Sequence, residues 1–195
     1  MSLRPDLAAI ADAVPQGARV LDIGCGDGAL LAHLRDTKAV DARGIDVSAA
    51  NVAGAVARGL SVVQGDADAD LADYPDDAFD MAILSDTLQA MRSPATVLGE
   101  LVRIARRAVV SFPNFGHWRV RGSLAFGGRM PVTKSLPISW HETANIHFCT
   151  VDDFRALAAE LGLSVETATF LSSGVRRGAG LANLLAEQAV FVLRR

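Results

Sequence analysis

Two cysteines, Cys25 and Cys149, are too few for a disulfide framework, and neither belongs to a C-x-x-C pair. No apolar run approaches the roughly 20 residues needed to cross a bilayer. Met1 to Ala13 lack the basic start and apolar core of a secretory signal. Basic residues are not in excess either: the formal charge is −3, so there is no global reason to expect nucleic acid or an acidic membrane surface. Internal repeats and low-complexity tracts are also missing. These absences point to a soluble, cytoplasmic chain. With 195 residues, half of them hydrophobic, it can bury a sizeable core as a single domain over 1–195.

What the chain does have is an apolar run that breaks into alternating glycines, Arg19-Val20-Leu21-Asp22-Ile23-Gly24-Cys25-Gly26-Asp27-Gly28. Val20, Leu21 and Ile23 read as a buried parallel strand, the glycines as a sharp turn close to a ligand, and Ala29 to Arg35 as a helix with Leu30, Leu31 and Leu34 on its core face. Strand, glycine turn and helix form the nucleotide-cradling unit of an open α/β sheet, which binds ligands at the carboxyl ends of its strands. A dinucleotide site wants G-x-G-x-x-G and a pyrophosphate on the helix N-terminus. Here the spacing is G-x-G-x-G, and Asp22 would repel a pyrophosphate but suit a ligand bearing positive charge. S-adenosylmethionine has a sulfonium, an ammonium and no phosphate. Asp22, Gly24, Gly26 and Gly28 resemble, position for position, the D/E-x-G-x-G-x-G motif of the class I S-adenosylmethionine-dependent methyltransferases. Cys25 lies inside the turn as a small filler near the ligand.

The remaining alternation agrees. Pro5 to Val14 reads as a helix ahead of the first strand. Ala39 to Ile45 reads as a second strand ending in Asp46, 18 positions after Gly28, with Ser48 as N-cap of a helix to about Arg58. An acid at that tip is placed to accept hydrogen bonds from the two ribose hydroxyls of an adenosine ligand. Leu60 to Val63 forms a third strand leading to Asp66-Ala67, which the resemblance places beside the adenine amino group. Met81 to Leu84 forms a fourth strand, followed by Ser85 and Gln89, which the resemblance makes candidates for ligand contact. Ser93-Pro94 opens a helix with proline at its first position, and Ala108 to Phe112 makes a fifth strand. Thr150 caps a helix to about Leu161, and Leu163 to Phe170 and Ala189 to Leu193 supply two last strands. The expected fold is α/β: a doubly wound, Rossmann-like sheet of seven strands, mostly parallel. Its antiparallel last strand is inferred from the resemblance.

Two stretches depart from this rhythm. Seven aspartates and no basic residue lie between Asp66 and Asp80, but their spacing fits no calcium loop, so no metal is assigned. Pro113 to Thr150 is too long for an ordinary connection. Between Phe115 and Lys134 it carries Arg119, Arg121, Arg129 and Lys134 with no acid, interleaved with aromatics. Such an insertion reads as a lid, an anion-binding patch or a partner surface.

Within and around it, Ser85 to Met91, Ser111 to Arg121, Gly128 to Pro137 and Asn145-Ile146-His147 are similar to the MetW family of methionine biosynthesis proteins, and that resemblance runs from about Arg19 to Arg195. It implies an S-adenosylmethionine-binding, methyltransferase-like protein that accompanies homoserine O-acyltransferase as an accessory or activating partner. The alternative is a methyltransferase acting on an unidentified small molecule, with S-adenosylhomocysteine as product. No catalytic residue is assigned, because aligning an activated methyl donor supplies much of the rate. A base for a hydroxyl or thiol acceptor would come from His117, His141 or His147.

Overall fold

The computed structural model of the chain describes residues 3–133 and 135–195; Lys134, one of the four cations of the insertion, lies outside them. Short aliphatic runs become strands, those at the centre of the sheet (β1, β4, β5 and β8) buried on both faces. In chain order these are β1 (Arg19–Ile23), β2 (Asp41–Asp46), β3 (Ser61–Gln64), β4 (Met81–Ser85), β5 (Ala108–Pro113), β6 (Ser164–Ser172), β7 (Val175–Arg177) and β8 (Gln188–Arg194). They form one sheet in the order β3-β2-β1-β4-β5-β8-β6-β7. Strands β1 to β5 are parallel, and β8 runs antiparallel between β5 and β6.

The sheet therefore has eight strands where seven were expected. The additional one, β7, is three exposed residues turned back on β6 as an antiparallel edge. With no apolar alternation, it carries no strand signal in sequence.

Side chains alternate across the sheet with period two. Val20, Met81 and Ile83 face one apolar layer, packed by Ile10 of α1 (Pro5–Ala13), Leu31 and Leu34 of α2 (Ala29–Lys38) and Ala55 of α3 (Ala49–Ala57). Leu21, Ala82 and Leu84 face the other, which holds Leu71 just beyond α4 (Ala67–Asp70), Leu98 and Leu101 of α5 (Pro94–Ile104), and the stacked rings of Phe112 and Phe191. The termini are capped as the sequence signals. The Ser48 hydroxyl accepts from the Asn51 amide, and the Lys38 ammonium donates to the Ala11 and Val14 carbonyls at the end of α1.

Five of the seven aspartates from 66 to 80, namely Asp66, Asp68, Asp70, Asp76 and Asp80, are engaged by the architecture. Asp68 accepts from the amides of Arg92 and Ser93 at the start of α5, Asp70 from the amide of Asp66, and Asp80 from the backbone and side chain of Arg19. Among the described residues no group of three or more His, Cys, Asp or Glu side chains is gathered to hold a metal ion. No helix among them is long and apolar enough to cross a membrane.

The insertion leaves the sheet at the end of β5 and returns at α7 (Val151–Glu160), opened by a capping box between Thr150 and Asp153. Its two ends meet: the Phe115 amide donates to the Cys149 carbonyl at 3.2 Å. Buried Asn114 binds both sides of that joint, accepting from the amides of Gly116 and Val151 and donating to the carbonyls of Asn183 and Ala186. Inside the insertion the chain forms α6 (Trp118–Gly127), an element that sequence patterning does not announce, because only Val120 among its residues is buried and no apolar stripe results. A last short helix, α8 (Ala182–Leu185), lies in the connection before β8.

Candidate functional site

The strand order reverses between β1 and β4, and the residues singled out in sequence gather at the carboxyl ends of β3, β2, β1 and β4. Gly24, Gly26 and Gly28 all have positive φ, at 71°, 57° and 77°. That region costs other L-residues about 1–2 kcal/mol each, so the turn needs glycine for its backbone alone. The three differ in what surrounds them. A Cβ on Gly24 would lie 2.6 Å from the Thr87 hydroxyl, and one on Gly28 would run into Leu60 and Ala55. A Cβ on Gly26 would meet nothing within 4 Å. Two glycines thus serve packing, and the middle one borders open space.

Asp46, at the tip of β2, holds this turn. One carboxylate oxygen accepts from the Gly26 amide at 2.8 Å, and the other accepts from the Ser48 amide at 2.9 Å and the Asn51 side-chain amide at 3.0 Å. Asn51 and Thr87 are site residues that sequence reading missed. Their signals exist only as a polar residue one turn into α3 and a threonine two residues beyond β4. Val47 is a third, an apolar side chain 71% exposed in the turn directly after Asp46.

Asp22 is the unusual group. It is 2% exposed, and its Oδ1 has no hydrogen-bond partner among the described residues. Burial, followed by the neighbouring charge of Asp46, pushes its pKa up to about 8. A carboxyl whose folded pKa is raised stabilises the fold most while protonated. That contribution declines as pH rises from about 4 to 8 and is flat above. The stability gap between wild type and Asp22→Asn is expected to shift by roughly 2–4 kcal/mol in the variant's favour between pH 5 and pH 8. Urea unfolding at the two pH values reads this, and a gap independent of pH would show that Asp22 is not held protonated.

The other predicted residues divide. Cys25 turns its sulfur under the loop against Gly44, and burial with the charges of Asp22 and Asp46 pushes the thiol up to about 12. It therefore borders the turn through backbone only and is no nucleophile. Asp66, after β3, accepts from the Asp68 amide and from the Arg92 guanidinium at the exposed rim, and Ala67 opens α4 beside it. Ser85 ends β4 with its hydroxyl 3.2 Å from that of Ser111. Gln89 is spent inside the fold: its amide nitrogen donates to the Pro113 carbonyl and Cys149 sulfur, and its oxygen accepts from Asn145. Its own carbonyl accepts from the amides of Ile146 and His147, which fastens the insertion to the loop after β4. His117 is buried, caps α6 by accepting from the Arg119 amide, and is lowered in pKa by burial, so it is neutral at pH 7. His141 and His147 are exposed on the insertion.

The arrangement brings together, at the carboxyl ends of the strands, an unpaired buried carboxyl oxygen, an acid-held glycine turn with open space at Gly26, and an exposed valine. Comparison with known proteins agrees with this architecture. The family described as "Methionine biosynthesis protein MetW" matches residues 4–193. A curated relative, "Bifunctional methionine biosynthesis protein MetXA/MetW" of Rhodopirellula baltica, is 34% identical over 179 residues, which cover 87% of this chain and 29% of that protein. The chain thus spans less than a third of the length of that relative. Among solved structures, an S-adenosylmethionine-dependent methyltransferase from Mesorhizobium loti superposes with a TM-score of 0.72 at 19% identity, covering 98% of each chain. One from Archaeoglobus fulgidus gives 0.71 at 15% identity, covering 97% of this chain and 91% of its own.

Proposed function

The chain belongs to the MetW family of methionine biosynthesis proteins, and from that premise we propose that it binds S-adenosylmethionine and acts as an accessory partner of homoserine O-acyltransferase. The residues at the sheet edge fit such a ligand. The orphaned Asp22 oxygen suits a cation, open space borders Gly26, and Asp46 stands at the tip where ribose hydroxyls would be met. Asp66, Ala67 and Ser85 would complete the walls, with Val47 offering an apolar face to a base. When bound, S-adenosylmethionine supplies a methyl group activated by its sulfonium.

The observation that carries the accessory role is the surface of the insertion. Phe126 is 95% exposed and Trp140 70%, with Trp118, Ile138 and Phe148 also exposed and Arg129 beside them in sequence. Single exposed apolar residues are ordinary, but so many on one segment mark an interaction surface. A relative whose name joins MetXA and MetW in one bifunctional chain supports a partner of the acyltransferase kind. Not every cation there is available: Arg121 donates to the Gly116 carbonyl, and Arg119 pairs with Glu187.

A variant combining Phe126→Ser, Trp140→Ser and Arg129→Glu is therefore expected to lose the complex with the cognate acyltransferase in size-exclusion chromatography. Its affinity for S-adenosylhomocysteine should stay within about twofold, since none of the three residues belongs to the glycine turn or the strand tips around it. A complex of unchanged affinity would assign the partner to another face.

A second reading, methyl transfer to a small molecule, is favoured by a cavity of about 510 Å³ that opens beside Asp86, directly after β4. Production of S-adenosylhomocysteine with a small-molecule acceptor, in the absence of the acyltransferase, tests it. Alignment and exclusion of water would be the chain's contribution, because His117 is committed to its cap.

A further inference from the structure

Beyond β4, a cleft of about 510 Å³ continues along the carboxyl edge of the sheet toward β8 and β6. Its floor is a pair of carboxylates from distant parts of the chain. Asp6, at the start of α1, is 3% exposed. Asp86, directly after β4, is held in the left-handed region at φ 53°, and its Oδ1 accepts from the Gln188 side chain at 2.8 Å. A single guanidinium joins them: one Arg4 nitrogen donates to Asp6 Oδ2 at 2.8 Å and to Asp86 Oδ2 at 2.9 Å. Asp6 Oδ1 has no hydrogen bond from any described residue, which leaves it for a second donor.

The two sides of this cluster are unequally committed. The acids are fixed by helix, strand end and Gln188, and the fold has already met most of the cost of desolvating them. Arg4 is 61% exposed, precedes the first helix and is held in the cleft by these two acids. Its contact with Asp86 is exposed, and such a pair is worth about 0–1 kcal/mol; Asp6 is buried, so when Arg4 leaves it needs another cation in its place. Burial, and then the charge of Asp6, raises the pKa of Asp86, which is the response of a carboxyl pair short of positive charge. Pro113, Pro137 and Leu171 line the walls and would take an alkyl chain.

We propose that this cleft binds a small organic cation, an alkyl amine or guanidine, which takes the seat that Arg4 occupies between Asp6 and Asp86. Arg4 acts as the occupant when no ligand is present and as a competitor when one arrives. The inference does not rest on the adenosyl ligand or on the acyltransferase, and its test uses the chain alone.

The test is a titration of the isotope-labelled chain with millimolar n-butylguanidinium and n-butylammonium, followed by amide shifts of Ser173, Gly174 and Gln188, with 1-pentanol as the uncharged counterpart. Both cations should shift these amides and pentanol should not. Arg4→Ala should tighten the binding at least about fivefold, because the competitor is gone. Adding Asp86→Asn to that variant should weaken it by about tenfold or more, while asparagine tolerates the left-handed backbone and still accepts from Gln188. Equal shifts with pentanol, no shifts with either cation, or weaker binding to Arg4→Ala would overturn the proposal. Arg4→Gln serves as a second variant with the same expected sign if the alanine form unfolds.

Discussion

Replacing Asp46 with alanine is expected to lower both stability and adenosyl-ligand affinity, and the stability loss comes first. Three donors converge on this carboxylate: the amides of Gly26 and Ser48 and the side chain of Asn51. Alanine orphans all three in a site where Asp46 itself is 7% exposed. Buried unpaired donors cost about 1–3 kcal/mol each, and water entering the vacated space recovers part, so a net loss of roughly 2–4 kcal/mol is expected in urea unfolding. Asp46→Asn keeps one accepting oxygen and turns an NH2 toward the donors on the other side, so it should lose less than alanine but not match wild type. Affinity for S-adenosylhomocysteine should fall at least about tenfold in both variants, through the lost charged hydrogen bonds and the loosened turn. If alanine leaves stability within experimental error of wild type, Asp46 does not hold the turn.

The second large effect is selective for binding. Gly26→Val is expected to reduce adenosyl-ligand affinity by more than about a hundredfold, some 3 kcal/mol, while the protein remains folded. The reasoning rests on the contrast among the three glycines. The Cβ of a valine at Gly26 meets no atom of the protein within 4 Å, so the cost to the fold is chiefly the backbone penalty of its φ of 57°. Its branched side chain instead fills the space that the ligand requires. Gly24→Val is the control, since its first carbon already collides with Thr87 and should damage the fold itself. Calorimetric titration with S-adenosylhomocysteine separates the two. Retained affinity in Gly26→Val would place the adenosyl site away from this turn.

Sequence was informative wherever the physics is local. The glycine triplet, the caps at Ser48 and Thr150, the proline start of α5 and the apolar strands each depend on neighbours within a few residues. Their boundaries agree with the structure to within two residues or so at most ends. Local pattern failed where an element is exposed on every side, as in α6 and β7, because burial is what imprints a period on sequence. It also failed where function depends on distant partners. That Asp66 pairs with Arg92, that Gln89 is sequestered by the insertion, and that Arg4 bridges to Asp86 across 82 positions are consequences of topology. Asp22 was legible as an acid just ahead of the glycine turn but not as an unpaired one, since only the packed fold withholds its partner.

The joint at the base of the insertion has a consequence for how such a chain can change over time. Residues 115 and 149 are hydrogen-bonded neighbours, so the segment between them leaves and re-enters the fold at one joint, with Asn114 closing the sheet behind it, and it is tied down again where Asn145, Ile146 and His147 meet Gln89. Lengthening a loop whose ends are already together costs only about 0.6 kcal/mol per doubling. The exposed stretch between the joint and the Gln89 anchors can therefore vary in length at small entropic cost, while the sheet's register is set elsewhere. Substitutions drift freely on such an appendage until a second protein constrains them, whereas the glycine turn answers to its own backbone at every step. A chain built this way can vary its outer surface while the turn at the strand ends keeps its geometry.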